Sequence, residues 1–210
     1  MKKTILITAG PTREKLDAVR FLTNRSTGKM GYALAEAARD AGYDVTLVSG
    51  PVNLPPVSDV TMVMIESAAE MADAVKSRAP EMDVVIMAAA VADYRPVHVH
   101  QGKMKKLPGN LTLELERTED ILASLGQIKP AGQVLVGFAA ETDDLLANAA
   151  GKLQRKNLDW IIANDVSKSD RGFGSSDNAV TMICRDGRQI DVPLASKQEI
   201  AATILQNILL

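Results

Sequence analysis

The sequence predicts an α/β fold, a doubly wound and mostly parallel sheet with an antiparallel excursion after residue 93 and a C-terminal hairpin. First, short apolar runs such as residues 5–7 and 44–49 alternate with amphipathic helical segments. Second, the apolar run at 83–90 is nearly continuous, which is typical of a central parallel strand buried on both faces. Because strands joined by helices form right-handed crossovers, we expect a single domain over residues 1–210.

The first half of the chain follows this alternation. A long polar loop after the first strand precedes a helix over residues 32–41, with Ser26 or Thr27 as its N-cap and Gly42 as its C-terminal stop. Ser67 is the expected N-cap of the next helix. The other predicted elements are strands at 44–49 and 61–65, a loop at 52–58 and a helix at 67–78.

The alternation breaks after the central strand. Residues 97–109 are polar, basic and irregular, and residues 111–116 alternate apolar and acidic side chains, the period of a half-exposed antiparallel strand. Such an excursion serves as a lid, a dimer arm or both. The core then resumes with helices at 118–126 and 143–155, strands at 134–138 and 160–163, a Gly/Ser loop at 172–178, a hairpin of 180–184 and 189–192, and a final helix from residue 197.

Composition argues against several classes of protein. A net charge of -2 disfavours general nucleic-acid binding, and an aromatic content of 3% leaves few platforms for stacking bases. The single cysteine, Cys184, cannot form an internal disulfide, which fits a reducing, cytoplasmic compartment. The apolar run after Lys2 and Lys3 is too short for a signal peptide or a membrane span. We therefore expect a cytoplasmic enzyme or small-molecule binder, with neither nucleic acid nor membrane as a partner.

Residues 8–31 join the first strand to a glycine-rich helix start, a combination typical of anion binding. Gly28 and Gly31 match only the end of a dinucleotide fingerprint, because a polar loop separates them from the strand. An ordinary NAD site is therefore disfavoured, whereas a phosphate site and a solvated loop both stay open. The loop carries several polar and cationic side chains: Arg13, Arg20, Asn24, Arg25 and Lys29.

Ligands of such sheets bind outside the carboxyl ends of the strands. Three carboxylates are expected at this edge, either as contacts to a metal–phosphate group or ribose, or as caps and loop anchors: Asp93, Glu141 and Asp165.

Lysines 103, 105 and 106 form the motif KMKK, which is either a solvated surface or a mobile cover for a polyphosphate. His98 and His100 have no cysteine or third histidine nearby, so surface positions are favoured over a zinc site. The absence of a G-x-S-x-G elbow and of a P-loop disfavours nucleophilic hydrolases and P-loop kinases. The residues by themselves thus indicate an α/β nucleotide- or phosphate-binding protein with a basic lid.

Seven segments extend this interpretation through a resemblance: ITAGPTRE (7–14), FLTNRSTGKMG (21–31), AAVADYRP (89–96), KMKK (103–106), VGFAAET (136–142), KNLD (156–159) and AND (163–165). In this order, and over nearly the whole chain, they resemble phosphopantothenoylcysteine synthetase, in particular the synthetase half of the bifunctional bacterial coenzyme A biosynthesis protein. The resemblance implies a Rossmann-like fold and a homodimer in which the excursion after Asp93 helps to pair the subunits.

The resemblance also implies a reaction. The carboxylate of 4'-phosphopantothenate reacts with CTP to give an acyl-cytidylate and pyrophosphate, and the amine of L-cysteine then displaces CMP. Mg²⁺ is expected with the nucleotide. A carboxylate is a poor electrophile, so the protein must neutralise triphosphate charge and stabilise the oxyanion that develops at the acyl carbon.

The family's functional positions carry over onto this sequence as follows. Asn24 is expected to bind the acyl intermediate, and Lys103 to clamp phosphates during cytidylate formation. Substrate binding is expected from Arg20, within one subunit or across a dimer interface, and from Asn24, Gly28 and Ala90. Nucleotide binding is expected from Met87, Ala88, Ala89, Asp93, Lys103, Glu119, Asp120, Ile121, Leu122, Phe138, Lys152 and Lys156.

Two departures from the family pattern bear on these expectations. The family often has proline at the position of Glu119, and a carboxylate there would repel a triphosphate unless only its backbone makes contact. The flavin-dependent decarboxylase of the bifunctional members is not in this sequence, so a fusion or association with one stays open. An NAD(P)-dependent oxidoreductase, a non-catalytic nucleotide-binding module and an ATP-dependent synthetase are the alternatives.

Overall fold

The computed structural model describes residues 2–106, 108–141, 145–165 and 177–208. The side chains of Glu141 and Asp165 lie outside this description, as do Thr142 and most of the predicted 172–178 loop. Within the described ranges, no helix has both the length and the apolar character needed to cross a membrane.

The described residues form twelve strands and five α-helices. The strands are β1 (Thr4–Ala9), β2 (Arg13–Lys15), β3 (Phe21–Thr23), β4 (Asp44–Ser49), β5 (Thr61–Met64), β6 (Val84–Met87), β7 (Tyr94–Pro96), β8 (Leu115–Arg117), β9 (Val134–Glu141), β10 (Trp160–Asp165), β11 (Asp177–Cys184) and β12 (Gln189–Ser196). The helices are α1 (Lys29–Asp40), α2 (Ala68–Lys76), α3 (Ile121–Ile128), α4 (Leu145–Arg155) and α5 (Lys197–Ile208), with a 3₁₀ turn at Ala79–Glu81.

Eight of the strands form one sheet in the order β12-β11-β10-β9-β6-β1-β4-β5. Six neighbouring strands are parallel, namely β10, β9, β6, β1, β4 and β5, whereas β11 and β12 add an antiparallel hairpin at one edge. The predicted doubly wound, mostly parallel sheet with a C-terminal hairpin is therefore confirmed. The winding reverses between β1 and β6, and in such sheets a crevice opens at this point, outside the carboxyl ends of the strands.

Apolar layers cover both faces of the sheet. Ile5 and Ile7 pack with α1 and α5 on one face, whereas Leu6 packs with α2, α3 and α4 on the other. Successive strand residues point to opposite faces, so a strand covered on both sides must be apolar throughout. This explains the unbroken apolar run of β1.

Two small antiparallel ribbons lie outside the main sheet. Strands β2 and β3 form a hairpin inside the predicted polar loop, which the sequence analysis missed. Strands β7 and β8 form the predicted excursion, but the paired residues are Leu115–Arg117 rather than 111–116, because only three residues find partners on β7.

The start of α1 differs from its prediction. Gly28, not Ser26 or Thr27, is the N-cap, with a left-handed φ of 78° and no side-chain hydrogen bond to the helix. The Ser26 hydroxyl instead accepts a 3.3 Å hydrogen bond from the Gly28 amide and bends the chain just before the helix. The predicted cap of α2 is confirmed, because Ser67 and Glu70 form a reciprocal capping box.

Candidate active site

A cleft of 970 Å³ opens at the switch point between β1 and β6. Its walls are the start of α1, the segment after β6, the start of α3 and the end of α4. Most of the residues predicted to bind nucleotide or substrate line it: Asn24, Gly28, Met87, Ala88, Ala89, Ala90, Asp93, Glu119, Asp120, Ile121, Leu122, Phe138, Lys152 and Lys156.

Two buried threonines hold the segment after β6 in place. The Thr8 hydroxyl accepts a 3.1 Å hydrogen bond from the Ala89 amide, and the Thr12 hydroxyl accepts a 2.9 Å bond from the Ala92 amide. Both threonine side chains are inaccessible to solvent. The cleft wall is therefore shaped by its backbone, which explains how a run of alanines can form part of a binding site. The sequence analysis gave these threonines no role.

Asn24 joins the loop before α1 to this wall. Its side-chain amide donates hydrogen bonds to the carbonyls of Ala90, at 3.0 Å, and Val91, at 3.2 Å. The structure thus places two residues with predicted substrate roles, Asn24 and Ala90, in direct contact. The bonds also fix which way the carboxamide faces, since its nitrogen must point towards the two carbonyl oxygens.

The N-terminus of α1 forms one end of the cleft, through Gly28, Lys29, Met30 and Gly31. It has no side-chain cap, so its first amides and its positive dipole end suit an anion. Gly31 lets the helix approach β1 closely, because a Cβ on Gly31 would lie 2.5 Å from the Cβ of Ala9 and 2.8 Å from the Thr8 carbonyl oxygen.

A Gly31→Ala substitution should therefore displace the start of α1 from the sheet. Overpacking of this kind costs about 1–3 kcal/mol, so we expect a lower Tm and weaker nucleotide binding. The matched control is Gly151→Ala in α4, whose new Cβ would meet only the guanidinium end of Arg155. Thermal unfolding and nucleotide titration check both variants, and unchanged nucleotide affinity in Gly31→Ala would contradict the role given to the helix start.

The acidic side chains at the start of α3 are neutralised by lysines. Both carboxylate oxygens of Glu119 accept bonds from the Lys76 ammonium, at 2.9 and 2.7 Å, and Ser124 donates to one of them. The hydrogen bond from Lys76, followed by that from Ser124, lowers the pKa of Glu119. Glu119 thus faces Lys76 as an ion pair, so its charge is neutralised within the chain. Likewise, Lys156 pairs with Asp120 at 2.8 Å.

A Lys76→Met substitution should expose the charge of Glu119 to the cleft. An exposed ion pair is worth up to about 1 kcal/mol, so we expect nucleotide affinity to fall by up to about fivefold. Adding Glu119→Gln should restore it. Lys15→Met is the matched control, because its partner Glu66 does not line the cleft. Equal affinities in Lys76→Met and wild type, measured by nucleotide titration, would show that the pair does not influence the site.

Asp93 is exposed and lines the cleft, and its side chain makes no hydrogen bond or ion pair with any described residue. Within the described part of the chain, no three His, Cys, Asp or Glu side chains are placed to hold a metal. Mg²⁺ commonly binds through one or two carboxylates together with substrate phosphates, so Asp93 fits a magnesium ion brought in by a nucleotide. His98 and His100 are exposed, as predicted.

Arg20 and Lys103 do not line the cleft of this chain. Arg20 lies at the β2–β3 turn, where its guanidinium contacts Asp17 and the Met104 carbonyl. Lys103 is exposed in the segment beside that turn. Their predicted roles stay predictions, and within one chain the two residues lie near each other, outside the cleft that Asn24 lines.

The sequence analysis gave residue 197 only as the start of the final helix and assigned Lys197 no place in the site. This lysine begins α5, lines the cleft and is only 5% exposed. Burial, and then the charge of Lys29, lowers its pKa. Asn164 also lines the cleft, and its Oδ1 is buried without a hydrogen-bond partner among the described residues. No local signal marks Lys197, because its position depends on how the β11–β12 hairpin docks against β10.

Comparison with known proteins agrees with the predicted resemblance. The model of the DNA/pantothenate metabolism flavoprotein C-terminal domain matches residues 1–210. Two relatives are named coenzyme A biosynthesis bifunctional protein CoaBC: that of Bacillus subtilis is 52% identical over 98% of this chain and 51% of its own length, and that of Vibrio cholerae is 50% identical over 98% and 52%. The chain thus spans about half the length of these curated relatives.

A solved C-terminal domain of CoaBC superposes on this fold with a TM-score of 0.84 at 50% identity, covering 98% of this chain and 93% of that one. The recognition made from the motifs is confirmed. The chain belongs to the family of the DNA/pantothenate metabolism flavoprotein C-terminal domain.

Proposed function

We propose that this chain is a ligase that joins 4'-phosphopantothenate to L-cysteine using CTP, through an acyl-cytidylate, in coenzyme A biosynthesis. The observation that carries the proposal is the cleft at the switch point, where Asn24 contacts the carbonyl of Ala90 beside the uncapped start of α1. Membership of the family, and the names of the relatives in coenzyme A biosynthesis, support the pathway.

The wall of the cleft supplies what this chemistry requires. Lys152 near the end of α4 and the amides at the start of α1 provide positive potential for a triphosphate, whereas Lys156 offsets the charge of Asp120. The backbone of residues 87–89 would border the nucleotide, and the hydrogen bond to the Thr8 hydroxyl holds this backbone in place. Asn24 lies beside the wall where the acyl group would react, and its two N–H groups, donated to the Ala90 and Val91 carbonyls, fix this wall and the loop before α1 in one arrangement.

Mg²⁺ is part of the proposal. Asp93 is the carboxylate that would hold it, together with phosphate oxygens of the nucleotide and water. The ion would neutralise triphosphate charge and favour departure of pyrophosphate.

A homodimer is also proposed, and the location of Arg20 and Lys103 supports it. Both lie on or beside the small ribbons, outside the cleft of their own chain, so a second copy could present them to the site. The same part of the molecule exposes several large apolar side chains, which suit an interface between copies. They are Val19, Phe21, Tyr94, Val99, Leu111, Leu113 and Leu115.

A longer native protein is consistent with the half-length match to relatives named bifunctional. Fusion to, or association with, a flavin-dependent decarboxylase is therefore part of the proposal. The cytoplasmic location stays a prediction from the single cysteine.

The decisive experiment measures pyrophosphate release from 4'-phosphopantothenate with CTP or ATP, first without and then with cysteine. We expect release with CTP, and CMP together with the cysteine adduct once the amino acid is added. Chelation of Mg²⁺ should stop the release. Release with ATP alone would keep the ligase and change the nucleotide, whereas no release with either would favour a non-catalytic nucleotide-binding module.

A further inference from the structure

We propose that Asp17 is a positioning residue whose carboxylate joins the turn that carries Arg20 to the lysine segment, residues 103–106, so that the two move as one unit. The inference rests on the proposed function, since it concerns Arg20 and Lys103, which the family resemblance assigns to 4'-phosphopantothenate and to the phosphates of the nucleotide. It assigns a role to a residue that neither the motifs nor the cleft had singled out.

The first half of the link is the turn itself. Asp17 lies between β2 and β3, and its side chain is inaccessible to solvent. Its Oδ1 accepts hydrogen bonds from the amides of Val19, at 2.8 Å, and Arg20, at 2.7 Å. A carboxylate that caps the backbone two and three residues ahead fixes the turn in one conformation.

The second half of the link crosses to the lysine segment. Oδ2 of Asp17 accepts from the Arg20 guanidinium, at 3.0 and 2.5 Å, and from the Met104 amide, at 3.1 Å. The same guanidinium donates to the Met104 carbonyl at 3.1 Å. Met104 is therefore held through both of its backbone polar groups, and Lys103 is the residue before it. These donors, above all Arg20, hold the pKa of Asp17 well below its usual range.

The turn is also closed by backbone bonds to the Arg20 carbonyl, from the Leu16 amide at 2.9 Å and the Asp17 amide at 3.2 Å, but few other contacts between described residues join it to the lysine segment. The strands of the hairpin are three residues long, and residues 97–106 contain no helix or strand. One further bond, from the His100 amide to the Leu16 carbonyl at 3.1 Å, joins them. Charge-assisted hydrogen bonds are about twice as strong as neutral ones, so the Asp17 carboxylate dominates the link.

Asp17→Asn tests the link with nearly unchanged shape. The amide replaces one acceptor oxygen with a donor, which must face the Arg20 guanidinium or a backbone amide. Losing hydrogen bonds to a charged group costs enough free energy to shift a local opening equilibrium about tenfold. We therefore expect trypsin to cleave the variant after residues 103, 105 and 106 about ten times faster than wild type. The matched control is Asp83→Asn, whose carboxylate accepts from the Thr4 amide and hydroxyl at the opposite end of the sheet.

Turnover supplies the second readout. We expect Asp17→Asn to raise the KM for 4'-phosphopantothenate, through Arg20, and to lower kcat for pyrophosphate release, through Lys103. Together these changes should lower kcat/KM about tenfold. A variant that only loosens the fold would resemble Asp83→Asn, with a lower Tm but unchanged kinetics and cleavage at the lysines. That result would overturn the inference and leave the proposed function standing. If wild type released no pyrophosphate, the proposed function would fail, and the cleavage assay would still test the link.

Discussion

The Asn24→Asp variant should accumulate the acyl-cytidylate and convert it to product at least about tenfold more slowly than wild type, because it loses two hydrogen bonds and gains a negative charge beside the acyl group. The structure supplies the reason. The Asn24 amide donates to the carbonyls of Ala90 and Val91, and a carboxylate cannot donate to either. The new negative charge would face two carbonyl oxygens and the developing oxyanion, so both the geometry and the electrostatics become unfavourable.

A single-turnover experiment separates the two half-reactions. Pyrophosphate release should stay close to the wild-type rate, whereas CMP should appear slowly after cysteine is added. Asn207→Asp is the matched control, because Asn207 also donates its side-chain amide to a carbonyl, that of Thr203 at 2.8 Å, but does so within α5. Cysteine attack at the normal rate in Asn24→Asp would show that Asn24 has no part in this step.

The Lys103→Gln variant should lose pyrophosphate release, and with it the whole reaction. Neutralising one phosphate contact removes charge stabilisation from the step in which the triphosphate is displaced, which we expect to cost at least about 10²-fold in rate. Lys105→Gln is the matched control, since residue 105 is an exposed lysine of the same segment. Normal release of pyrophosphate by Lys103→Gln, followed with a coupled assay, would remove Lys103 from the mechanism.

Mixing the two inactive variants tests whether Lys103 acts across a dimer. If a site combines Asn24 of one copy with Lys103 of the other, a mixed dimer of Asn24→Asp and Lys103→Gln has one site without a lesion and regains activity. If both residues act within one chain, every site carries a lesion and no activity returns. In that case the lysine segment must move to reach its own cleft, because Lys103 does not line it in this structure.

The sheet could be predicted because its strands are long, apolar and regularly spaced, as the run at 83–90 shows. The β2–β3 hairpin could not, since REK and FLT are too short to show a period of two. The left-handed cap at Gly28 was missed for another reason. Serine and threonine are the usual caps, but only the packed structure shows that a Cβ on Gly28 would lie 2.7 Å from a methyl group of Val52.

The candidate site, like the fold, could be predicted from the sequence only in part. Local motifs identified the alanines after β6 and the start of α1, which lie next to each other because parallel strands end at one edge. No local pattern could reveal the place of Lys197 in the cleft, because the other residues of the cleft lie far from it in sequence. The same holds for the ion pair between Lys76 and Glu119. The ion pair matters most, because it neutralises the carboxylate that the sequence alone leaves as an unpaired charge at the site.

The strand order also implies a sequence of assembly during synthesis. Strand β1 is made first but lies inside the sheet, between β4, which starts at residue 44, and β6, which starts at residue 84. Closing the shorter connection costs less chain entropy, so the β1–β4–β5 half can pair first, with α1 packed on it. The cleft has no second wall until β6 emerges, and Lys197 joins only with the last helix. A nascent chain stalled before β6 should therefore protect the amides of β4 from hydrogen exchange and yet bind no nucleotide.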